Sequence, residues 1–198
     1  MGKIIRSLIY LTVFTLGLEA FAAISPVSIG VLSPVQFPPS DFSVTGARVS
    51  LLFGHHRDVY GLDLGLLGNI TDQDSVGIAI SGLFNITHGN TSQILQFAGL
   101  TNMNSNKTNI YGLQLAGLLN MNDAESSVTG LQLALANVAA HTKINGFQIG
   151  VYNRALDIRG FQIGLVNVTD NLHGLQIGLI NFNHTGLFVV SPVLNVGF

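Results

Sequence analysis

A short repeat runs through most of this chain and constrains its fold more than any other feature. The clearest copies are residues 146–153 (GFQIGVYN), 160–167 (GFQIGLVN) and 174–181 (GLQIGLIN). Looser copies precede them, and the Asn residues that close successive copies lie 14 to 18 residues apart. These are Asn69, Asn85, Asn102, Asn120, Asn137, Asn153, Asn167 and Asn181. A fixed period of this kind predicts one supersecondary unit for each copy.

Each copy alternates between large apolar residues and small or polar ones. In the last full copy Leu175 and Ile177 fall on one face, and Gln176 and Gly178 fall on the other. A period of two is typical of a β-strand. Turn-forming residues such as 168–171 (VTDN) separate the copies. The sequence therefore predicts an all-β domain over residues 44–198, with about ten strands.

The first residues have the pattern of a secretory signal peptide. Lys3 and Arg6 precede the apolar residues 8–18, and residues 20–22 (AFA) form a small-residue cleavage pattern. We therefore assign residues 1–23 to a signal peptide, which predicts export. Residues 24–43 are rich in proline and predict an irregular lead-in, with an edge strand near residues 27–31.

Composition excludes several classes of protein. Only 9% of the residues are charged and 47% are hydrophobic, whereas an average soluble domain has about 25% charged residues. The formal charge of −2 gives no basic footprint for nucleic acid. The absence of cysteine excludes disulfides and thiolate zinc sites. An ordinary cytosolic globular domain is therefore a poor fit to this sequence.

Two all-β folds could bury the alternating pattern, and we favour an antiparallel meander closed as a membrane β-barrel. Strands of about 9–11 residues span a bilayer, and the repeats provide strands of that length. The apolar face would meet lipid, and the Gly and Gln face would line the interior. The inward pattern G-x-Q-x-G is a palindrome, so it suits strands that run in either direction.

The alternative is a parallel β-solenoid with coils of 14–18 residues. Each repeat would then be one coil, Leu and Ile would fill the core, and the Gln and Asn side chains would stack as ladders. The uniform repeat favours this fold. The small number of charges disfavours it, because a soluble solenoid needs a hydrated outer surface.

The repeats, together with the signal peptide, resemble a bacterial surface-repeat family over residues 25–198. Residues 59–66 (VYGLDLGL) and the ending at 186–198 (GLFVVSPVLNVGF) share in this resemblance. The resemblance implies an exported protein of the outer membrane or cell surface, with no defined activity and no catalytic residues to transfer. The terminal Phe198 resembles the assembly signal of bacterial outer-membrane barrels. The predicted partners are accordingly the lipid bilayer of the outer membrane and its assembly machinery, and no surface partner is identified.

Only two charges of the predicted mature chain fall in the middle of a strand. Arg48 and Asp63 occupy the position that Gln takes in later copies, one repeat apart. Because a buried charge needs a partner, we expect them to form an interior charge pair. The other reading is a charged constriction or ligand site.

Six glutamines recur at the same position of successive repeats and predict an interior amide series. They are Gln96, Gln114, Gln132, Gln148, Gln162 and Gln176. We interpret them as structural hydrogen-bonding residues. The repeated Asn residues are most simply interpreted as strand-end and turn residues.

No catalytic or metal-binding constellation is recognisable. His55 and His56 are adjacent on a predicted turn without a matched third ligand. We find no Ser, His and acid in a common arrangement. We therefore predict a non-enzymatic structural or interaction protein without a cofactor, a metal site or catalytic residues.

Overall fold

The computed structural model describes residues 23–186 and 188–198, and their strands stack as a parallel β-solenoid of about ten turns. Most of the predicted signal peptide, residues 1–22, lies outside the described part of the chain. Within the described ranges, no helix has the length and apolar character needed to cross a membrane.

Each full coil contributes a strand to two parallel stacks. The strands are β1 (Ile24–Leu32), β2 (Val35–Phe37), β3 (Ser43–His56), β4 (Asp58–Gly65), β5 (Gly68–Thr71), β6 (Ser75–Ser81), β7 (Phe84–Thr87), β8 (Thr91–Ala98), β9 (Thr101–Asn104), β10 (Thr108–Ala116), β11 (Leu119–Asn122), β12 (Ser126–Leu133), β13 (Ala136–Ile149), β14 (Tyr152–Ile163), β15 (Val166–Asn183) and β16 (Val190–Gly197). The first stack contains β3, β4, β6, β8, β10, β12, β13, β14 and β15, and the second contains β5, β7, β9 and β11 with parts of β3 and β13–β15.

The repeats pair in parallel and in register, so the prediction of an antiparallel meander closed as a barrel is wrong. Gln148 lies beside Gln162, and Gln162 lies beside Gln176, with like residues paired along both strands. Parallel stacking brings identical amides together, where each can bond the next. A palindromic pattern of period two fits both strand directions, so the alternation alone could not exclude the meander.

The solenoid alternative fits the observed fold and its stacked Gln and Asn side chains, but most of the Leu and Ile side chains that it placed in the core face outward. Gln176 is fully buried, whereas Ile177 is 38% exposed and Leu179 is 66% exposed. The interior combines amides with a column of buried aliphatic side chains, whereas most of the large apolar side chains face outward. The buried aliphatic residues are Val44, Val59, Ile110, Val128, Ile144, Ile158 and Leu172.

The first glycine of the late G-x-Q-x-G patterns lies within a strand, where the backbones of successive coils approach closely. Gly160 has φ +133°, which L side chains rarely adopt. A Cβ built there would collide with the carbonyl oxygen of Gly146 in the previous coil. The stacked backbones therefore leave no room for a side chain at this position.

Both ends of the solenoid carry an antiparallel strand. Residues 24–43, expected as an irregular lead-in, include β1, which pairs in parallel with β3, and β2, which folds back antiparallel on β1. At the other end β16 pairs antiparallel with β15. These strands cover edges that would otherwise be open to another strand.

Candidate interaction surface

The predicted Gln series forms a continuous ladder through the interior. The Nε2 atom of each glutamine donates to the Oε1 atom of the glutamine one coil earlier, at 2.7–2.9 Å, from Gln176 back to Gln96. All six side chains are fully buried. The ladder ends at the cap, where Asn195 Nδ2 of β16 donates to Gln176 Oε1 at 3.1 Å.

The closing Asn residues form a second ladder, as the solenoid alternative predicted, and they are core residues rather than the strand-end and turn residues of our simplest interpretation. From Asn69 to Asn181, each Nδ2 donates to the Oδ1 of the next coil at 2.8–3.0 Å. The same Nδ2 also donates to a backbone carbonyl of that next coil, as Asn153 does to Ile163 at 2.8 Å. Their strict recurrence was the signal for a ladder, because a turn residue has no need of an identical partner.

The two ladders point in opposite directions along the solenoid. Glutamine amides donate toward the N-terminal end, and asparagine amides donate toward the C-terminal end. Their side-chain dipoles therefore oppose each other. The interior is polar but neutral, and most of its hydrogen bonding is satisfied within the chain.

The structure brings Arg48 and Asp63 together at the N-terminal end of the interior. Arg48 Nε and Nη2 donate to the two carboxylate oxygens of Asp63 at 2.7 and 2.6 Å. Arg48 Nη1 also donates to the carbonyl of Ile70 at 2.8 Å. Arg48 is fully buried and Asp63 almost so. A bidentate, closed geometry of this kind fits structural pairing and leaves no opening for a ligand.

The two adjacent histidines face different environments. His55 Nε2 lies 2.8 Å from Asp72 Oδ2 at the surface. His56 is buried, with Nδ1 3.5 Å from Arg48 Nη1 and Nε2 3.2 Å from the carbonyl of Pro38. Burial, with the nearby charge of Arg48, lowers the pKa of His56 to about 4. In the described ranges no three His, Cys, Asp or Glu side chains form a group that could hold a metal.

The part of the first stack's outer face that flanks the interior glutamine positions is apolar. Polar and charged side chains such as Thr129, Arg159 and His173 lie on the same strands nearer the opposite corner. On either side of each interior position held by Gln, Arg48, Asp63 or Ala79, the two flanking side chains point outward. They are Ala47, Val49, Leu62, Leu64, Ile78, Ile80, Leu95, Phe97, Leu113, Leu115, Leu131, Leu133, Phe147, Ile149, Phe161, Ile163, Leu175 and Ile177. No charged or polar side chain interrupts these two columns.

A row of exposed leucines follows one corner of the solenoid, between the two stacks. Every full coil contributes one residue, and each of these is 37% to 66% exposed. We call this row the leucine ridge: Leu51, Leu66, Leu83, Leu100, Leu118, Leu135, Val151, Leu165 and Leu179. Shallow grooves of about 530–540 Å³ lie between the ridge and the first stack, and Phe97 and Ile149 help to line them.

The apolar surface continues around the ridge onto the outer face of the second stack. That face presents Ile70, Ile86, Met103, Met121, Val138 and Val168 in register, with His55 beside Ile70 at the N-terminal end of the column. Arg154 is its one charged residue within the described chain, and its Nη2 reaches Asp170 Oδ1 at 3.1 Å. The two outer faces and the leucine ridge together form what we call the apolar shell.

Most of the charged residues lie at the corner opposite the leucine ridge, which we call the polar edge. Only Arg48, Asp63 and Arg154 lie elsewhere among the charged residues that the structure describes. The polar edge contains Asp41, Arg57, Asp58, Asp72, Asp74, Lys107, Asp123, Glu125, Lys143, Asp157, Arg159 and Asp170. In cross-section the solenoid is therefore amphipathic, with the leucine ridge and the polar edge on opposite sides.

A cavity of about 690 Å³ lies at the C-terminal end between the last coil and β16. His173, Asn195 and Phe198 are among the described residues that line it, and none of those residues is an acid. Phe198 follows β16 and is fully exposed. Its predicted part in barrel assembly has no counterpart in a solenoid.

Comparisons with known proteins found no match to this chain. No family model matches the sequence. No curated protein and no solved structure is significantly similar to the chain.

Proposed function

We propose that this chain is an exported, non-enzymatic module of the bacterial outer membrane or cell surface that binds through its apolar shell. One observation carries the proposal: most of the large apolar side chains face outward along the solenoid, although a smaller column of aliphatic residues is buried inside it. Soluble monomers rarely expose contiguous apolar patches larger than a few hundred Å², and larger patches mark interaction or membrane sites.

The inverted arrangement supports binding rather than catalysis. The interior amides bond one another, so they are not available to a substrate. Apart from His55 at one end and Arg154, whose guanidinium is paired with Asp170, the residues named in the shell are apolar and offer contact area rather than an acid, a base or a nucleophile. The signal-peptide pattern and the resemblance to bacterial surface-repeat proteins support the proposed location.

Fractionation of bacteria that produce the full chain tests this function. The ridge variant replaces Leu100, Leu118 and Leu135 with Ser. A matched edge variant replaces Lys107, Glu125 and Lys143 with Ser, at exposed positions of the same part of the solenoid. We expect the wild-type protein and the edge variant to remain with the washed cell envelope, and the ridge variant to be released.

Retention of the ridge variant at the wild-type level would contradict binding through the shell. Recovery of the wild-type protein in the cytosol would contradict export. Circular dichroism of each purified variant checks that the solenoid has formed, which we expect because all six positions are exposed.

A further inference from the structure

We propose that the partner of the apolar shell is one leaflet of a lipid bilayer, into which the leucine ridge inserts while the polar edge stays in water. This inference rests on the proposed function and names its partner. The solenoid would lie in the plane of the membrane and would not cross it.

The shape of the shell favours lipid over a folded partner. Apolar side chains cover two outer faces and the convex corner between them, so the surface wraps around three sides. A rigid protein or a second copy of this chain would cover one face and leave the others exposed. Fluid acyl chains conform to a convex surface and cover all three at once.

The dimensions of the shell match one leaflet. Phe161 on the first stack precedes Leu165 on the ridge by four residues. At about 3.3 Å per residue, this segment spans roughly 13 Å. The hydrocarbon core of a bilayer is about 30 Å thick, so one leaflet is roughly 15 Å deep. Insertion to this depth immerses the apolar columns and stops short of the polar edge.

The direction of the leucine ridge determines how the solenoid would lie relative to the membrane plane. Ridge and polar edge run parallel along the stacked coils, so only a solenoid lying in the membrane plane keeps every charge in water. Arg154 fits this orientation because its guanidinium turns back to Asp170 at the polar edge. The immersed strands also pair with their neighbours in the stack, as lipid requires of any backbone within it.

Charge plays little part in the proposed contact. The polar edge carries acids and bases side by side, such as Glu125 and Lys143, and it faces away from the ridge. Binding should therefore depend on apolar area and resist salt, whereas attraction to anionic headgroups would weaken as salt rises.

Flotation with protein-free vesicles of phosphatidylethanolamine and phosphatidylglycerol tests the proposal. We expect purified wild-type protein and the edge variant to float with the vesicles equally at 0.1 and 1 M salt. The ridge variant should partition on the order of a hundred-fold less, because three half-exposed leucines lose their transfer into hydrocarbon.

Depth is measured with single tryptophans, since the chain has none. Leu135→Trp places a fluorophore on the ridge, and Glu125→Trp places one on the polar edge. With vesicles that carry spin-labelled acyl chains, we expect strong quenching of the first and little of the second. Equal quenching at both positions would overturn the orientation.

The outcomes separate this proposal from the one on which it rests. If wild-type protein does not float, but the ridge variant is still released from cell envelopes, the lipid partner is wrong and a protein partner takes its place. If wild-type protein does not float and forms a dimer that the ridge variant cannot form, the partner is a second copy. If the ridge variant stays on envelopes, the proposed function itself fails.

Discussion

Gln162 is hydrogen-bonded to the coils on both sides of its own. Its Nε2 donates to Gln148, and its Oε1 accepts from Gln176, both at 2.7 Å. Because the site is fully buried, water cannot replace either partner. In this protein a buried amide stabilises the fold, as a buried leucine does in most proteins.

Replacing Gln162 with Leu should therefore destabilise the protein although it makes the interior more apolar. We expect a loss of about 2–4 kcal/mol in the free energy of unfolding, because Gln148 Oε1 loses its donor and Gln176 Nε2 loses an acceptor. Leu165→Ser, three residues away on the ridge and 56% exposed, should cost less than about 1 kcal/mol. Urea unfolding compares the two, and a larger loss for Leu165→Ser would contradict the amide core.

The buried ion pair gives a second prediction. Asp63→Asn leaves the Arg48 guanidinium buried without its counter-charge, so we expect a loss of about 3–5 kcal/mol. The double variant Arg48→Gln with Asp63→Gln extends the amide chemistry of later coils and should recover most of that loss. Thermal or urea unfolding measures both. An unchanged stability for Asp63→Asn alone would show that the pair does not matter.

The buried His56 predicts a dependence of stability on pH. Its pKa is about 4 in the folded chain and 6.5 ordinarily, so it stays neutral when folded and takes up a proton on unfolding at acidic pH. The contribution of neutral His56 to the free energy of unfolding is complete above about pH 6.5. It falls by up to about 3 kcal/mol as the pH drops to about 4. Urea unfolding of wild-type protein and His56→Gln at several pH values should give a smaller acid loss for the variant. Parallel pH profiles would exclude this origin.

The sequence was most informative about single interior positions and less so about their neighbours. The opposite signs and one-repeat spacing of Arg48 and Asp63 are enough to predict from the sequence that the two side chains lie close together. The burial of the Gln residues was also predictable, because both folds that we considered placed them inside or in ladders. The Asn residues were harder to assign: the solenoid alternative placed them in ladders, which is correct, but the simplest interpretation placed them in turns because asparagine is common there.

At the scale of the element, the strands were predictable and their direction was not. Period two fixes which residues share a face. It does not say which face is inside, and a palindromic repeat does not say whether neighbours run parallel. Those choices depend on contacts between coils, such as Gln162 with Gln148, which lie 14 residues apart.

The cap strand β16 should protect the last coil from pairing with other chains. It covers the free edge of β15 and ends the glutamine ladder through Asn195. We expect deletion of residues 184–198 to produce larger species that grow with protein concentration, because an open edge pairs with other strands. Light scattering after size-exclusion chromatography measures them.

Asn195→Ala is the matched control for that deletion. It removes the bond to Gln176 but keeps the strand, so we expect a loss of about 1 kcal/mol and no additional self-association. A truncated chain that is no larger than the full chain would show that β16 does not protect the edge.

For the whole molecule, the positions of the charged and apolar residues explain the unusual composition. Charges are few because three sides of the solenoid carry apolar residues and its core carries neutral amides. The charges that remain gather at one edge. A chain of this kind divides into an apolar shell and a polar edge without needing a hydrophobic core of ordinary size.

Distances between spin labels along the leucine ridge test the stacked solenoid most directly. The chain has no cysteine, so single pairs can be introduced at exposed ridge positions that bond from coil to coil. With one label at residue 165, partners at 100, 83 and 66 should lie roughly 19, 24 and 29 Å away, because each coil adds about 4.8 Å. A steady increase with coil number would support the account. Distances that level off or fall, as a sheet closing on itself requires, would contradict it.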